Sequence, residues 1–299
     1  MTFYGRRGFL LRTAAAGFAL REPAAAAAQA RMRLGLIVSV GNDPEAAIAR
    51  VGALGLPTCQ AAVTDFGEAM VRGLRAALER HRVEATAINT SGPGRQVYDF
   101  YQGPQTIGLV PRRYRRERID QLKRSSDFAK KLGVPAIHTH CGFIPEDPND
   151  PLYQETVDAI REVVGHCRAN GQTFLYETGQ ETPVTLLRTI LDVGLDNQGV
   201  NLDTANLILY GKGQPVDALD VIGKYVRGLH AKDGLFPTDP KKLGREVPIG
   251  EGKADFPRIM ARLKQLDYRG PITIEREISG PKQIEDVRKA KEYLEGLIA

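Results

Sequence analysis

Four runs of strand-forming residues end at or near a side chain that can bind a divalent metal. In the order of the runs TFLYE, GVNLD, VRGLHAK and PITIE, these side chains are Glu177, Asp203, His230 and Glu275. In a parallel barrel the C-terminal ends of the strands meet at one mouth, where active sites lie. A carboxylate at a strand end often caps the next helix instead. Because four ligand types occur on four consecutive strands, the pattern as a whole favours a metal site.

Three carboxylates and one imidazole form an oxygen-rich ligand set without a thiolate. Such a set favours a six-coordinate Mn²⁺, Mg²⁺ or Co²⁺ ion with open positions over a structural Zn²⁺ ion, which prefers cysteine and histidine. A metal that chelates a carbonyl oxygen and the neighbouring hydroxyl stabilises the enediolate formed when a carboxylate removes the α-proton. Return of the proton then gives epimerisation or isomerisation, and departure of an adjacent hydroxyl gives elimination of water.

Short β-rich runs alternate with helical patterns along the chain, and several of the helical patterns end in glycine. The eight predicted strands are 34–39, 57–63, 83–89, 135–141, 173–177, 199–203, 226–232 and 271–275. Eight strands with intervening helices predict the α/β class, as a single (β/α)8 TIM barrel with its active site at the C-terminal strand ends. A doubly wound sheet is disfavoured, because VSVGNDPEAA after the first strand lacks a glycine-rich phosphate turn.

Residues 31–299 are predicted to form one domain, because no linker or shift in composition divides them. The largest insertions are 90–117, a long aromatic loop of the kind that covers a barrel mouth, and 234–255. The arginine-rich run 112–116 is interpreted as a solvated helix start, with an anion-binding patch as the alternative. Three cysteines without paired spacing are expected to be buried thiols.

The segments after the strand ends resemble a known family. The runs LYETGQET, NLDTANL, GLHAKD and VPIGEGKADFPRIMARLKQLDYRGPITIE are similar to those of the sugar phosphate isomerase/epimerase family, which has the xylose isomerase-like TIM-barrel fold. The resemblance implies that Glu177, Asp203, His230 and Glu275 hold one divalent metal ion. Mn²⁺ is the implied ion, with Mg²⁺, Co²⁺ and Zn²⁺ as alternatives. The resemblance also implies that Glu177 and Glu275 are the catalytic pair that transfers the proton.

Two candidate substrate-binding residues stand out on the strands and loops at the mouth. His140 follows His138 at period-two spacing, so both share one face, with His140 nearer the mouth. His138 is interpreted as a core residue. Asn206 stands where ketose 3-epimerases carry a histidine, and it can hydrogen-bond a hydroxyl but cannot relay a proton at neutral pH.

Three charged residues complete the set of candidate substrate-binding residues. Lys232 shares a strand face with His230 and is expected to bind an anionic group or orient a carboxylate, with a structural salt bridge to Asp233 or a neighbour as the alternative. Arg245 is the counterpart, by resemblance, of an arginine that follows the strand-seven histidine. Glu181 is expected to contact substrate hydroxyls, with an exposed loop charge as the alternative.

The resemblance implies a metal-dependent isomerase or epimerase that acts on a keto-sugar or related polyol carbonyl by α-proton transfer. A lyase of the inosose dehydratase type is the runner-up. A sugar-binding protein without turnover and an endonuclease IV-like nuclease are less favoured, the nuclease because its three zinc ions need more histidines than the five present. The expected partner is a small sugar or polyol, not a nucleic acid or a membrane, and a homo-oligomer is an open alternative.

The formal net charge of the 299-residue chain is +5. Part of that charge lies in residues 1–30, where GRRGFLLR resembles a twin-arginine export signal and Ala28-Gln29-Ala30 has the form of a signal-peptidase site. Removing residues 1–30 takes away four arginines and one glutamate and lowers the net charge from +5 to +2. The segment predicts export by the twin-arginine machinery to the periplasm, and the small remaining charge disfavours a nucleic-acid partner.

Overall fold

The computed structural model describes residues 32–299, in which eight parallel strands close into a barrel. The barrel strands are β1 (Arg33–Ser39), β2 (Thr58–Ala62), β3 (Glu84–Asn89), β4 (Ala136–Thr139), β5 (Thr173–Glu177), β6 (Gln198–Asp203), β7 (Val226–Ala231) and β10 (Pro271–Ile274). Two short strands between β7 and β10, β8 (Asp233–Leu235) and β9 (Arg245–Val247), form an antiparallel hairpin. The predicted (β/α)8 barrel is therefore confirmed. The predicted export segment, residues 1–30, lies outside the described residues.

Helices connect the barrel strands. They are α1 (Pro44–Ala53), α2 (Glu68–His81), α3 (Gly103–Thr106), α4 (Arg112–Leu132), α5 (Pro151–Ala169), α6 (Pro183–Val193), α7 (Thr204–Leu209), α8 (Pro215–Ile222), α9 (Phe256–Gln265) and α10 (Pro281–Ile298). Their starts follow local rules: the Asp150 and Thr182 side chains accept hydrogen bonds from the first turns of α5 and α6, and a proline follows each cap. None of these described helices is long and apolar enough to cross a membrane.

The registers of the barrel bring the four predicted ligand positions to one level. Asp203 on β6 pairs directly with His230 on β7, and Glu177 on β5 pairs with Asn201 on β6. The backbone N–H of Glu275, just after β10, donates to Ala231 O at the end of β7. Successive side chains of a strand alternate between its faces, and helices cover the outside of the barrel, so β6 is buried along its whole length.

The observed strands agree with the predicted ranges to within two residues at each end. The hairpin of β8 and β9 was not predicted, and it lies in the 234–255 insertion. The arginine-rich run is the start of α4, as expected: Arg112 and Arg115 pair with Glu155, and Arg116 pairs with Glu162. The three cysteines are buried free thiols, which confirms their interpretation as core residues.

Candidate metal centre and substrate cavity

The carboxylates of three predicted ligands converge on one nitrogen of the fourth, His230. His230 Nδ1 lies 3.0 Å from Glu275 Oε2, 3.1 Å from Glu177 Oε1 and 3.7 Å from Asp203 Oδ2. One ligand-type atom from each of the four residues lies within 4.8 Å of the others. His230, Asp203 and Glu177 are buried, and the Glu275 side chain is only 11% exposed. The structure thus brings together the complete predicted ligand set, which we call the acidic cluster.

Hydrogen bonds outside the acidic cluster orient two of its members. His230 Nε2 donates to Gln60 Oε1 at 2.6 Å, and Gln60 Nε2 donates to Asn201 Oδ1 at 2.9 Å. The Gln60 contact assigns the proton of a neutral His230 to Nε2 and leaves Nδ1 as a lone-pair ligand. Asp203 uses Oδ1 to accept from the backbone N–H groups at the start of α7. Its second oxygen is thereby left for the cluster.

Glu177 is surrounded by imidazoles. His138 Nδ1 lies 3.1 Å from Glu177 Oε2, and His140 Nε2 lies 3.5 Å from Glu177 Oε1. His138 was interpreted as a satisfied core residue, but its Nε2 has no hydrogen-bond partner and the residue is fully buried. With Glu177 and His230 it forms a second group of ligand-type atoms. His138 therefore belongs to the site.

The residues present fit a divalent metal ion. His230 Nδ1 and Asp203 Oδ2 are buried polar atoms without a hydrogen-bond partner. Leaving such atoms unpaired costs about 1–3 kcal/mol each, and both atoms point into the acidic cluster. Oxygen-rich ligand sets with one imidazole suit Mn²⁺ or Mg²⁺ better than a structural Zn²⁺ ion. The types of donor atom and their lack of hydrogen-bond partners therefore both indicate a divalent metal site.

The pKa shifts within the acidic cluster also indicate a site that favours a cation. Burial would lower the pKa of His230, but Glu275 and Glu177 raise it well above its ordinary value. Burial would raise the pKa of Glu177, but the neighbouring imidazoles, His140 first, lower it well below its ordinary value. Burial raises the pKa of Asp203 to about 6 against the opposing charge of Lys232. Three carboxylates at one point therefore favour any cation placed among them.

Lys232 lies at the edge of the acidic cluster and is fully engaged by carboxylates. Its Nζ lies 2.7 Å from Glu277 Oε2, 3.5 Å from Glu275 Oε2 and 3.6 Å from Asp203 Oδ2. It also donates to Asn206 Oδ1 at 3.3 Å. The alternative of a salt bridge with Asp233 or a neighbour is confirmed in its second form, because the partners are these three carboxylates and not Asp233. The same contacts let Lys232 orient carboxylates, which was one of its two expected roles.

Asp233 organises the loop that follows the hairpin. Its carboxylate accepts backbone N–H groups from Gly250, Gly252 and Ala254, all at 3.0 Å. A Cβ atom at Gly252 would overlap the carboxylate of Asp233. The carboxylate of Asp233 thus holds the PIGEG turn of the sequence in place.

A cavity of about 450 Å³ opens beside the acidic cluster. Glu177 and Glu275 form part of its wall, together with the predicted substrate-binding residues His140 and Asn206. Tyr98 from the 90–117 insertion also lines it, with its ring edge-on to His140 at 5.9 Å between centroids. A larger surface cavity of about 620 Å³ lies against the start of α4 and contains no residue of the acidic cluster, so the smaller cavity is the candidate active site.

The structure separates the other two candidate residues from the cavity. Arg245 is exposed on β9, where it pairs with Leu235 of β8, and it does not line the cavity. Glu181 is 2% exposed, so the alternative of an exposed loop charge is wrong. It does not line the cavity either. Burial raises its pKa to about 8, and its Oε2 has no partner.

Several residues of the site were not predicted from the sequence. They are Gln60, His138, Gln180, Tyr210 and Glu277. Glu277 follows Glu275 by two positions, so period-two spacing could have identified it. The same spacing placed His138 on one face with His140, but it did not distinguish a site residue from a core residue. Gln60 reaches His230 across 170 residues of chain, and no local signal marks it.

Comparisons with known proteins agree with this geometry. Residues 46–297 match the family model described as xylose isomerase-like TIM barrel. A xylose isomerase domain protein from Planctomyces limnophilus has a crystal structure with a TM-score of 0.85 to this chain, at 35% identity, over 89% of this chain and 97% of that chain. A D-psicose 3-epimerase structure has a TM-score of 0.67 at 17% identity, over 89% and 99% of the two chains, which shows a shared fold alone.

Curated relatives match over part of their length. L-ribulose-5-phosphate 3-epimerase UlaE of Salmonella typhi is 26% identical over 203 residues, which are 62% of this chain and 65% of that protein. The uncharacterized protein MJ1311 of Methanocaldococcus jannaschii is 25% identical over 193 residues, 61% and 62% of the two chains. The chain thus spans less than two thirds of the length of these relatives. The match over residues 46–297 and the 35% identical structure show that the chain belongs to the xylose isomerase-like TIM barrel family.

Proposed function

We propose that this protein is a metal-dependent isomerase or epimerase that transfers an α-proton on a keto-sugar or a related polyol carbonyl compound. One observation carries the proposal: the carboxylates of Glu177 and Glu275 approach the same atom, His230 Nδ1, and both line the 450 Å³ cavity. A substrate in that cavity would therefore lie beside two groups that can each accept or donate a proton. UlaE, named as an epimerase of a ketose phosphate, supports the reaction class.

The residues of the site would have different roles in this reaction. Glu177, Asp203, His230 and Glu275 would hold the metal, which when bound supplies Lewis-acid stabilisation of negative charge on a carbonyl oxygen. One glutamate removes the α-proton, and the electron pair of the C–H bond moves towards the carbonyl. The other glutamate enters this step as a carboxylic acid and donates its proton, either to the opposite face of that carbon or to its neighbour. Exchange of both carboxyl groups with water restores their starting protonation. His138 and His140 hold the Glu177 carboxylate in place.

The test is proton exchange in D₂O. The purified protein with Mn²⁺ is incubated with a panel of ketoses and inososes, and NMR follows exchange at each carbon. We expect exchange at one α-carbon, lowered about 100-fold or more in Glu177→Gln and Glu275→Gln, with the exposed Glu292→Gln as a matched control. Metal content is measured in parallel, because both glutamates are also candidate ligands.

The outcomes separate the alternatives. Exchange that persists in either glutamine variant with metal bound would contradict the two-glutamate mechanism. Loss of a hydroxyl in place of exchange would identify a dehydratase. Binding of metal and sugar with neither reaction would identify a sugar-binding protein.

We also propose export to the periplasm by the twin-arginine route, on the strength of Arg6 and Arg7 before the Phe-Leu pair. Expression in a bacterium with that machinery, followed by fractionation, tests it. The pair Arg6→Lys/Arg7→Lys should hold the protein in the cytoplasm, whereas Arg12→Lys should not. Periplasmic arrival of the double variant would overturn this proposal.

A further inference from the structure

Three side chains in the wall of the 450 Å³ cavity carry buried polar atoms without a hydrogen-bond partner. They are both amide atoms of Gln180, the hydroxyl of Tyr210 and Nδ1 of His140. Gln180 is 1% exposed and Tyr210 is 5% exposed. Buried polar groups in proteins are nearly always paired, and an unpaired one costs about 1–3 kcal/mol. Since these three side chains line the cavity, a ligand with matching donors and acceptors is the partner that would satisfy them.

Packing holds these groups in place. The Tyr210 ring lies edge-on to Phe143 at 5.7 Å and to Phe100 at 6.3 Å between centroids. A Cβ atom at Gly179 would lie 3.1 Å from Asn206 Cβ and 3.7 Å from Tyr210 Cδ2, so the glycine allows the chain before Gln180 to approach Tyr210 closely. Burial raises the pKa of Tyr210 to about 12, and its hydroxyl therefore stays protonated at neutral pH. The nearby Gln180 amide opposes that rise, although the two groups lack hydrogen-bond geometry.

The charge of the cavity points to an uncharged ligand. Among the described residues that line it, three are glutamates and none is lysine or arginine. Lys232 does not line the cavity. Its ammonium group already contacts the carboxylates of Asp203, Glu275 and Glu277. The site holds four carboxylates, those of Glu177, Asp203, Glu275 and Glu277. They outnumber the one lysine, so the site keeps an excess of negative charge even with a divalent cation bound. A phosphate dianion would meet repulsion here, and the described part of the cavity wall offers it no lysine or arginine to pair with.

We propose that Gln180 and Tyr210, with His140, form a recognition wall for hydroxyl groups, and that the substrate is an uncharged, unphosphorylated polyhydroxy carbonyl compound. This inference rests on the proposed function, since it names the substrate class of the same site. The cavity volume suits a small sugar. Gln180 supplies two donors and one acceptor oxygen, and Tyr210 supplies one of each, which matches the mixed donor and acceptor character of neighbouring sugar hydroxyls. UlaE is named for a phosphorylated substrate, so the inference separates this chain from that relative.

Calorimetric titration tests the substrate class without turnover. The full-length protein, with and without Mn²⁺, is titrated with D-fructose, D-tagatose, D-ribulose and D-xylulose, each beside its terminal phosphate ester. We expect the best free sugar to bind about ten-fold or more tightly than its ester. In Leu243→Arg, which adds a cation to the cavity wall, the preference should shift towards the ester, whereas Leu243→Gln should leave it unchanged.

Two further variants test the recognition wall. Gln180→Leu and Tyr210→Phe should each weaken binding of the preferred free sugar about ten-fold, without lowering the melting temperature, because each removes an unpaired buried group. A residue with a merely structural role would lose stability instead.

Each result decides the inference. A preference for phosphate esters, unchanged sugar affinity in both wall variants, or no binding of either series would overturn it. The deuterium exchange described above is read separately. If no α-proton exchanges although free sugars bind through Gln180 and Tyr210, the proposed reaction fails and the recognition wall stands.

Discussion

His230 Nε2 donates to Gln60 Oε1 at 2.6 Å, and this contact directs the other imidazole nitrogen towards three carboxylates. Gln60 is itself oriented by Asn201, which accepts from its amide nitrogen. The chain from Asn201 through Gln60 to His230 crosses the barrel interior from β6 to β2 and back to β7. The tautomer of the candidate ligand is therefore set by a side chain that does not touch the cavity.

Gln60→Met should weaken metal binding while the fold persists. Methionine fills similar space but cannot accept the proton of His230 Nε2, so we expect the affinity for Mn²⁺ to fall about 10- to 100-fold. Electron paramagnetic resonance of free Mn²⁺ in a titration measures this. Gln172→Met is the matched control, because Gln172 is equally buried but bonds to Ser126 and Val134. Equal metal affinities in the two variants would contradict the role of Gln60.

Asp203→Asn and Asp203→Ala should separate the two tasks of this residue. Asparagine keeps an oxygen that accepts from the start of α7 but removes the charge, so metal affinity should fall with little change in stability. Alanine should lower metal affinity and also cost about 1 kcal/mol of unfolding free energy through the lost cap. Asp43, which caps α1 and is not a member of the acidic cluster, gives the control: Asp43→Ala should reduce stability alone. Unfolding in urea and Mn²⁺ titration provide the readouts, and full metal affinity in Asp203→Asn would exclude Asp203 as a ligand.

Arg118→Met should release the loop that carries Tyr98. The buried Arg118 guanidinium donates to four backbone carbonyls of this loop, those of Pro93, Arg95, Thr106 and Gly108. Removing it leaves those oxygens without a donor, and we expect a loss on the order of 2–4 kcal/mol. Limited proteolysis should show new cleavage within 92–110, whereas Arg113→Met, exposed on the same helix, should behave like the parent chain. Unchanged proteolysis of Arg118→Met would disprove the anchoring role.

Glu181→Gln should raise stability by an amount that grows with pH. Burial raises the pKa of Glu181 to about 8 from an ordinary value of 4.5. Between these values the folded state holds a proton that the unfolded state has lost, so the free energy of unfolding falls as pH rises across this window and levels off above it. The advantage of the variant should therefore increase by at most about 1.4 kcal/mol per pH unit.

Urea unfolding in the presence of a chelator, at pH 5, 6.5 and 8, checks this dependence. Glu117→Gln serves as the control, because Glu117 is exposed on α4. A stability difference between Glu181→Gln and the parent that stays constant over this range would mean that Glu181 is ionised in the folded state.

The pattern of strand-forming runs in the sequence predicted most of the barrel and all four members of the acidic cluster. Hydrophobic runs of five to seven residues identify buried parallel strands, and a residue at the end of such a run must lie at the barrel mouth. Glu177, Asp203, His230 and Glu275 could be predicted for this reason, since their positions depend on local sequence and on the parallel register alone.

The tertiary structure decided what surrounds the acidic cluster. The hairpin of β8 and β9 placed Arg245 at the surface, and the packing of the 178–182 segment buried Glu181. The contact of Gln60 with His230 and the unpaired amide of Gln180 depend on side chains from strands and loops far apart in the chain. Strand ends follow from local periodicity, whereas the direction of a loop side chain is set by long-range packing that no local pattern encodes.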